Sequence, residues 1–365
     1  MVFLIDLGDE DLLFTYAIFG VQHPTMSAEK KRQISTLHDL LSSSAGRVDQ
    51  LCDEDHGTKG GHMPPSTTFV AYWLRSSDYE EFAQSKAFAD FWNDLPDDAG
   101  VWREVMTVPK ARYMFAASQE VKWGLATMSE LKISNDEGYW GVYRHRLGDV
   151  GDTYTSPYVT NTMNSTTSPE TAAENVETAR PVLSIPQPGS PSIEGEQPIR
   201  RGKVTITNPP DNLCFVREGQ RQPHVSKEEV DLWIEHISPH AASWIDHLDT
   251  NRQKNGVMTF TTHVGRDRVA SSDTVVEAAP VAETNQLAFF LDLAHFERAG
   301  RSHKGHVQLR KNVMQHYGPG GQMQKLGKAE LFVELCVLKS GDLIAEYIGC
   351  TEGTGLMWLE SDTKN

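Results

Sequence analysis

The chain has 365 residues and a formal net charge of −16, from 34 Lys and Arg against 50 Asp and Glu. That sign argues against binding a nucleic-acid backbone, which basic contacts dominate, and against docking on an anionic membrane surface. The length predicts about two domains or one large duplicated one, and 39% hydrophobic with 23% charged residues suits an ordinary globular core.

The amino terminus, MVFLIDLGDEDLLF, is apolar but acidic and lacks the basic region that opens a signal sequence. No apolar run approaches the ~20 residues a membrane span needs, so a cytoplasmic protein is expected. DLLFTYAIFGVQ reads as a buried strand. Lys30–Leu41 is predicted helical, Asp53–Pro65 a loop, and Thr67–Leu74 (TTFVAYWL) a strand. Ser77 and Glu80 have the spacing of a capping box opening a helix that turns Tyr79, Phe82, Ala83 and Trp92 inward. Gly100–Val108 is a further strand. From Gly151 to Arg200 the composition shifts to Ser, Thr, Pro, Glu and Asn, with too little apolar surface to offset its ordering entropy, so a flexible insertion is expected there. It separates a first half, residues 1–150, from a second, 201–365.

The second half repeats the rhythm. Asp211–Arg217 is a predicted strand, and Ser226 with Glu229 caps a helix carrying Val230, Trp233, Ile234 and Ile237 at helical spacing. GVMTFTTHV and QLAFFLDL read as strands, Phe296 to Gln315 as helical, and Glu330–Leu338 and Leu343–Cys350 as closing strands. Two halves of this kind predict an α+β fold of duplicated ferredoxin-like units forming a barrel-like antiparallel sheet flanked by helices.

Cys52, Cys214, Cys336 and Cys350 are widely spaced without a CxxC pair, which favours reduced, buried thiols over a disulfide framework or a cysteine zinc site. No Walker loop, Rossmann fingerprint, nucleophile elbow or HExxH occurs, and the glycine cluster Gly318–Gln322 reads as a turn. His303 and His306, three apart, are expected roughly on one helix face. The pair is either a polar surface or one axial ligand with a neighbour that orients it. His236 and His240 flank Pro239 and read as surface or capping residues; no carboxylate completes a three-ligand zinc site at either pair. If Arg144–Arg146 is a strand, Arg144 and Arg146 share one face and His145 the other; they form an exposed basic cluster or supply an arginine that polarises a substrate or holds a propionate. Glu218 follows an apolar strand and is either a turn residue or a tuned acid in a pocket.

In order along the chain, IFGVQ (Ile18–Gln22), VAYW (Val70–Trp73), WREV and VP (Trp102–Pro109), GYWG with two arginines (Gly138–Arg146) and NLCFVR followed by GQ (Asn212–Gln220) resemble the haem-containing aldoxime dehydratases, the phenylacetaldoxime dehydratase-like family. LAHFERAGRSHKGH (Leu293–His306), ELCVL (Glu334–Leu338) and a cysteine followed by GTGLM (Cys350–Met357) continue the resemblance, which spans nearly the whole chain outside the insertion. It implies haem b (iron protoporphyrin IX) on one proximal histidine, a homodimer, and elimination of water from a small-molecule aldoxime to give a nitrile. The family's ligand carries over to His306, with His303 as its neighbour; the family's Trp is Ala299 here and its Pro-Thr is Lys304-Gly305.

The sequence departs from the family at two distal positions. The expected distal histidine is Val333, and the expected serine is Glu218; the expected arginine survives as Arg146 or Arg144. Glu218 is therefore the expected replacement acid, with Arg146 and Arg144 as further catalytic candidates, because hydroxide is a poor leaving group that needs protonation. The alternatives are a haem enzyme with altered N–O or N–N chemistry, a haem-binding protein without catalysis, and a haem-free protein retaining only the fold.

Overall fold

The computed structural model describes residues 2–8, 11–53, 63–134, 143–148, 152–160, 180–187, 198–222, 224–265 and 283–362. The chain opens with strand β1 (Val2–Asp6). A first unit follows: β2 (Leu13–Gln22), α1 (Ala28–Ser42), β3 (Arg47–Asp53), β4 (Ser66–Trp73), α2 (Ser76–Gln84), α3 (Lys86–Asn93) and β5 (Val101–Pro109). Strands β6 (Tyr113–Ala117), β7 (Glu130–Ser134) and β8 (Lys203–Ile206) come next. The second unit is β9 (Leu213–Arg221), α4 (Lys227–His236), α5 (Ser238–Thr250), α6 (Arg252–Asn255), β10 (Val257–Gly265), β11 (Glu283–Phe290), α7 (Leu293–Ser302), α8 (Lys304–Tyr317) and β12 (Glu330–Leu338). Strand β13 (Leu343–Ile348) follows it.

All thirteen strands form one antiparallel sheet in the order β7-β1-β6-β12-β9-β11-β10-β3-β4-β2-β5-β13-β8. Within it, β12-β9-β11-β10 and β5-β2-β4-β3 each place the unit's fourth strand beside its first, then its third and second. That is the ferredoxin-like order, present twice. The units meet where β10 pairs β3 and then exchange strands: β6 leaves β5 to pair β12, and β13 leaves β12 to pair β5. The sheet is rolled but not closed, ending at β7 and β8.

The inner face encloses a core shared by both units, with Phe14, Tyr16, Tyr72, Phe115, Phe215, Phe289 and Phe332. A polar knot crosses it. The hydroxyls of Tyr16, Tyr72 and Tyr113 donate to Glu334 at 3.1, 2.7 and 2.9 Å. Arg217, fully buried, donates to Asp49 at 2.7 Å, to the Tyr72 oxygen at 2.6 Å and to Asn285 at 3.0 Å. Such a knot is high-stakes, because a half-satisfied buried network costs more than an apolar core.

Each unit packs helices on its outer face, and the two faces differ. In the first, Phe19 and Arg103 are directly opposed on β2 and β5. Phe19 packs edge-on against Phe88 and Trp92 of α3, and the Arg103 guanidinium lies 4.4 Å over Trp92 while paired with Glu346. In the second, Glu218 and Val333 hold the opposed positions on β9 and β12. The correspondence is anchored one residue on. A Cβ on Gly20 would run into the Trp102 indole at 2.2 Å, and one on Gly219 into the Phe332 ring at 2.3 Å.

Several local expectations are corrected. Arg75 caps α2, with Ser77 inside the helix, and the chain breaks at Ser85, whose hydroxyl caps α3 at Phe88 N. On α4, Ser226 caps as expected, but Ile234 faces solvent while Leu232 is buried. The predicted helix from Phe296 to Gln315 is two helices meeting at His303. The expectation of a uniformly flexible 151–200 stretch is also corrected at its flanks. Tyr154, Val159, Leu183 and Ile185 are buried, Val159 bridges Val182, and Gln253 donates to the Leu183 carbonyl at 3.0 Å. The low average apolar content hid a cluster of anchors at each end; residues 161–179 and 188–197 lie outside the described residues. None of the four cysteines forms a disulfide, and all are buried.

Candidate functional site

The second unit's outer sheet face is built by strand alternation. It turns Cys214 and Val216 of β9 and Val333, Leu335 and Val337 of β12 toward the helices, where they pack with Trp244 of α5 and Leu293, Phe296 and Ala299 of α7. Glu218 continues the β9 row on this face, directly opposite Val333 and, on its other side, Gln286. The turn reading for Glu218 is thereby corrected, since β9 runs on to Arg221. Among the described residues its carboxyl has no hydrogen-bond or ion-pair partner, though it is half-buried against an apolar layer. Burial alone raises its pKa from 4.5 to about 7. A desolvated acid without a partner costs stability and serves no packing purpose.

One polar group stands near it. Tyr143 is buried against Phe296 with ring centroids 5.0 Å apart. Burial raises its phenol well above the usual value, the charge of Glu218 adds to that, and Arg146 opposes it. Arg144–Arg146 forms a 3-10 turn, not a strand, so the expected sharing of a face by Arg144 and Arg146 does not arise. Arg146 buries its Nη1. Arg144 instead donates to the Thr153 carbonyl at 2.5 Å and lies over the Tyr154 ring at 5.6 Å. The turn leaves both arginines half-buried and turns His145 to solvent.

The histidine segment sits on the helical wall. His303 is the N-cap of α8, with φ −82° and ψ 120°, so the two histidines do not share a continuous helix face as expected. The His306 backbone N–H donates to His303 Nδ1 at 3.2 Å. The His306 side chain in turn donates from Nδ1 to the Gly300 carbonyl at 2.6 Å, its ring lying against Trp244 at 4.4 Å.

These bonds settle the tautomers. A carbonyl oxygen only accepts, so His306 Nδ1 carries the proton and Nε2 keeps its lone pair. His303 Nδ1 only accepts here, so its lone pair is already engaged. Desolvation lowers the pKa of both imidazoles, for His303 with the help of Lys254 and for His306 against its bond to Gly300. A neutral imidazole pinned through Nδ1 to a backbone carbonyl is the donor that an axial iron position requires. His306 therefore fits a haem ligand; His303 does not in this arrangement.

A third histidine escaped sequence reading. His295 is fully buried and its Nδ1 meets the Asp292 carboxylate at 2.7 Å, while Nε2 has no partner among the described residues. Asp292 also caps α7 and accepts from Ser156 N at 3.0 Å. Its spacing from His295 was the available signal. His236 stacks on His316 with centroids 4.9 Å apart at the α4–α8 contact. Among the described residues no group of three or more His, Cys, Asp or Glu side chains is placed to hold a metal ion, and no helix is long and apolar enough to cross a membrane.

A family model described as haem-containing dehydratase matches residues 17–356. The aliphatic aldoxime dehydratase of Rhodococcus erythropolis is 22% identical over 295 residues, covering 79% of this chain and 70% of the relative. That of Pseudomonas chlororaphis is 21% identical over 348 residues, covering 93% and 85%. An aldoxime dehydratase crystallised with butyraldoxime superposes with a TM-score of 0.74 at 17% identity, over 98% of this chain and 88% of that one. A second aldoxime dehydratase structure gives 0.74 at 18% identity, over 98% and 90%.

Proposed function

The chain belongs to the haem-containing dehydratase family, and from that premise we propose that it is a haem b lyase converting an aldoxime, R–CH=N–OH, to the nitrile R–C≡N and water. The carrying observation is His306, whose Nδ1 proton is fixed on the Gly300 carbonyl and whose Nε2 lone pair is left to ligate iron. When bound, reduced haem supplies a coordination position for the oxime nitrogen and electron density as the N–O bond weakens.

The chain's own residues do the proton work. Glu218, protonated near neutral pH, donates to the leaving oxygen so that it departs as water and not as hydroxide. The carboxylate so formed accepts the carbon-bound proton, which restores the acid and balances the reaction. Arg146, with its buried Nη1 and its field felt at Tyr143, is the arginine suited to polarise the substrate oxygen or steady the Glu218 carboxylate. Arg144, half-buried and held on the Thr153 carbonyl, is the weaker candidate for that role. Val333 supplies an aliphatic wall where the resemblance expects a second proton donor. The same reading makes the enzyme a cytoplasmic homodimer, which light scattering of the purified protein checks.

The valine favours a second reading, in which the same scaffold performs different N–O or N–N chemistry. One experiment separates them. Purified protein reconstituted with hemin and reduced anaerobically is given aryl and alkyl aldoximes, with the spectrum and nitrile followed together. Nitrile supports the first reading. A spectral shift without nitrile supports the second, and a preparation that binds no haem overturns both.

A further inference from the structure

Resting on the reading that His306 ligates iron, we propose that His303 is the positioning residue for that ligand. Its imidazole, which looks like an alternative ligand, is a helix cap that aims its neighbour. In α8 the cap side chain is His303 itself, where Ser, Thr, Asp or Asn is usual. The 3.2 Å bond from the His306 backbone N–H to His303 Nδ1 fixes the main chain of the ligand, and the 2.6 Å bond to the Gly300 carbonyl fixes its ring. Two bonds, one to each end of the residue, leave the imidazole one orientation.

The cap is itself braced. The His303 ring stacks on His247 with centroids 4.1 Å apart and 17° between planes, and packs on Trp244 at 5.7 Å. Trp244 carries the His306 ring on the same indole. His247 is held by Asn255 Nδ2 at 3.1 Å. Gly305 leaves the space the cap needs, since a Cβ there would lie 2.7 Å from His303 Cε1 and 2.9 Å from Ser243 Oγ. The segment from Gly300 to His306 thus works as one unit: carbonyl anchor, cap, clearance and ligand. Partners of this kind typically change metal affinity by about 10–100-fold when removed.

The test uses the full chain reconstituted with hemin, comparing wild type with His303→Ala, His303→Asn, Gly305→Ala and His306→Ala. Hemin affinity is read from tryptophan quenching, and the iron–histidine stretch of the reduced protein from resonance Raman. The expected result is about 10–100-fold weaker hemin binding with a shifted or broadened stretch in His303→Ala. His303→Asn restores both, because an asparagine oxygen caps equally well, and Gly305→Ala, which keeps the imidazole but crowds it, shifts the stretch in the same sense. Wild-type affinity and stretch in both His303→Ala and Gly305→Ala overturn the positioning role while leaving the ligand reading intact. A histidine stretch that survives in His306→Ala overturns the ligand reading itself. If the stretch is then lost in His303→Ala without rescue by Asn, His303 is the ligand; if it persists there too, His295 becomes the next residue to replace.

Discussion

Replacing Glu218 by Gln keeps the shape and the polarity of the side chain and removes its acid. Its pKa of about 7 in place of 4.5 means that the folded chain retains a proton the unfolded chain has lost between those values. Stability therefore falls as pH rises through that window, and the full cost of the desolvated carboxylate is present above pH 7. The rise corresponds to about 3 kcal/mol, discounted to about 2–3 kcal/mol for the surface the side chain keeps. A neutral glutamine carries no such cost. The variant is expected to match wild type near pH 4 and to gain about 2–3 kcal/mol at pH 8. At roughly 2.1 cal/mol/K per residue over 365 residues, that is a rise in Tm of about 3–4 °C.

Activity runs the other way. Wild-type kcat, measured as nitrile formed from an aldoxime under anaerobic reduction, is expected to fall as pH rises through about 7, as the acid ionises. The Gln variant is expected to lose about 10²–10⁴-fold and to lose that pH limb with it. More stable and less active is the signature of a group kept for chemistry. Unchanged turnover refutes Glu218 as the acid; a lower Tm at pH 8 refutes the claim that its carboxyl is desolvated and unpartnered.

Three further outcomes follow from the same geometry. Val333→His places an imidazole directly across the β9–β12 ladder from Glu218; its positive charge lowers the Glu218 pKa, so the alkaline limb of the pH–rate profile moves below 7 and the pair titrates together. Arg146→Ala is expected to reduce kcat/KM by about 10²-fold, and Arg144→Ala, whose guanidinium is engaged on the Thr153 carbonyl, to change it by no more than about twofold. Arg217→Met leaves Glu334 buried with its countercharge gone and Asp49 with Arg47 alone, and is expected to cost about 3–5 kcal/mol in chemical denaturation.

How far the fold was legible depends on whether the signal is local. Glu330–Leu338 was read with the bounds it has, because seven of its nine residues are apolar and leave little else for that stretch to be. Ser226 was read as a cap because its hydroxyl needs only the amide of Glu229, three residues on. The break at His303 was missed because a histidine rarely caps, so the helical pattern on either side was read through it. The Arg144–Arg146 turn was missed because alternation was assumed where the backbone follows 3-10 hydrogen bonding.

The site was legible only through resemblance, and for a physical reason. Both units present the same two facing positions on their outer sheet faces, and nothing in either strand alone says which face opens. On the first, Phe19 and Arg103 meet Phe88 and Trp92, and the arginine is neutralised by Glu346, so that face is filled and satisfied. On the second, Glu218 and Val333 face an apolar layer in which, among the described residues, the carboxyl finds no partner. The difference is one of satisfaction, not of pattern. An aromatic at position 19 and an acid at position 218 occupy the same place in the duplicated fold, and what sets them apart is the residue opposite: Arg103, neutralised by Glu346, across β2–β5, and Val333 across β9–β12.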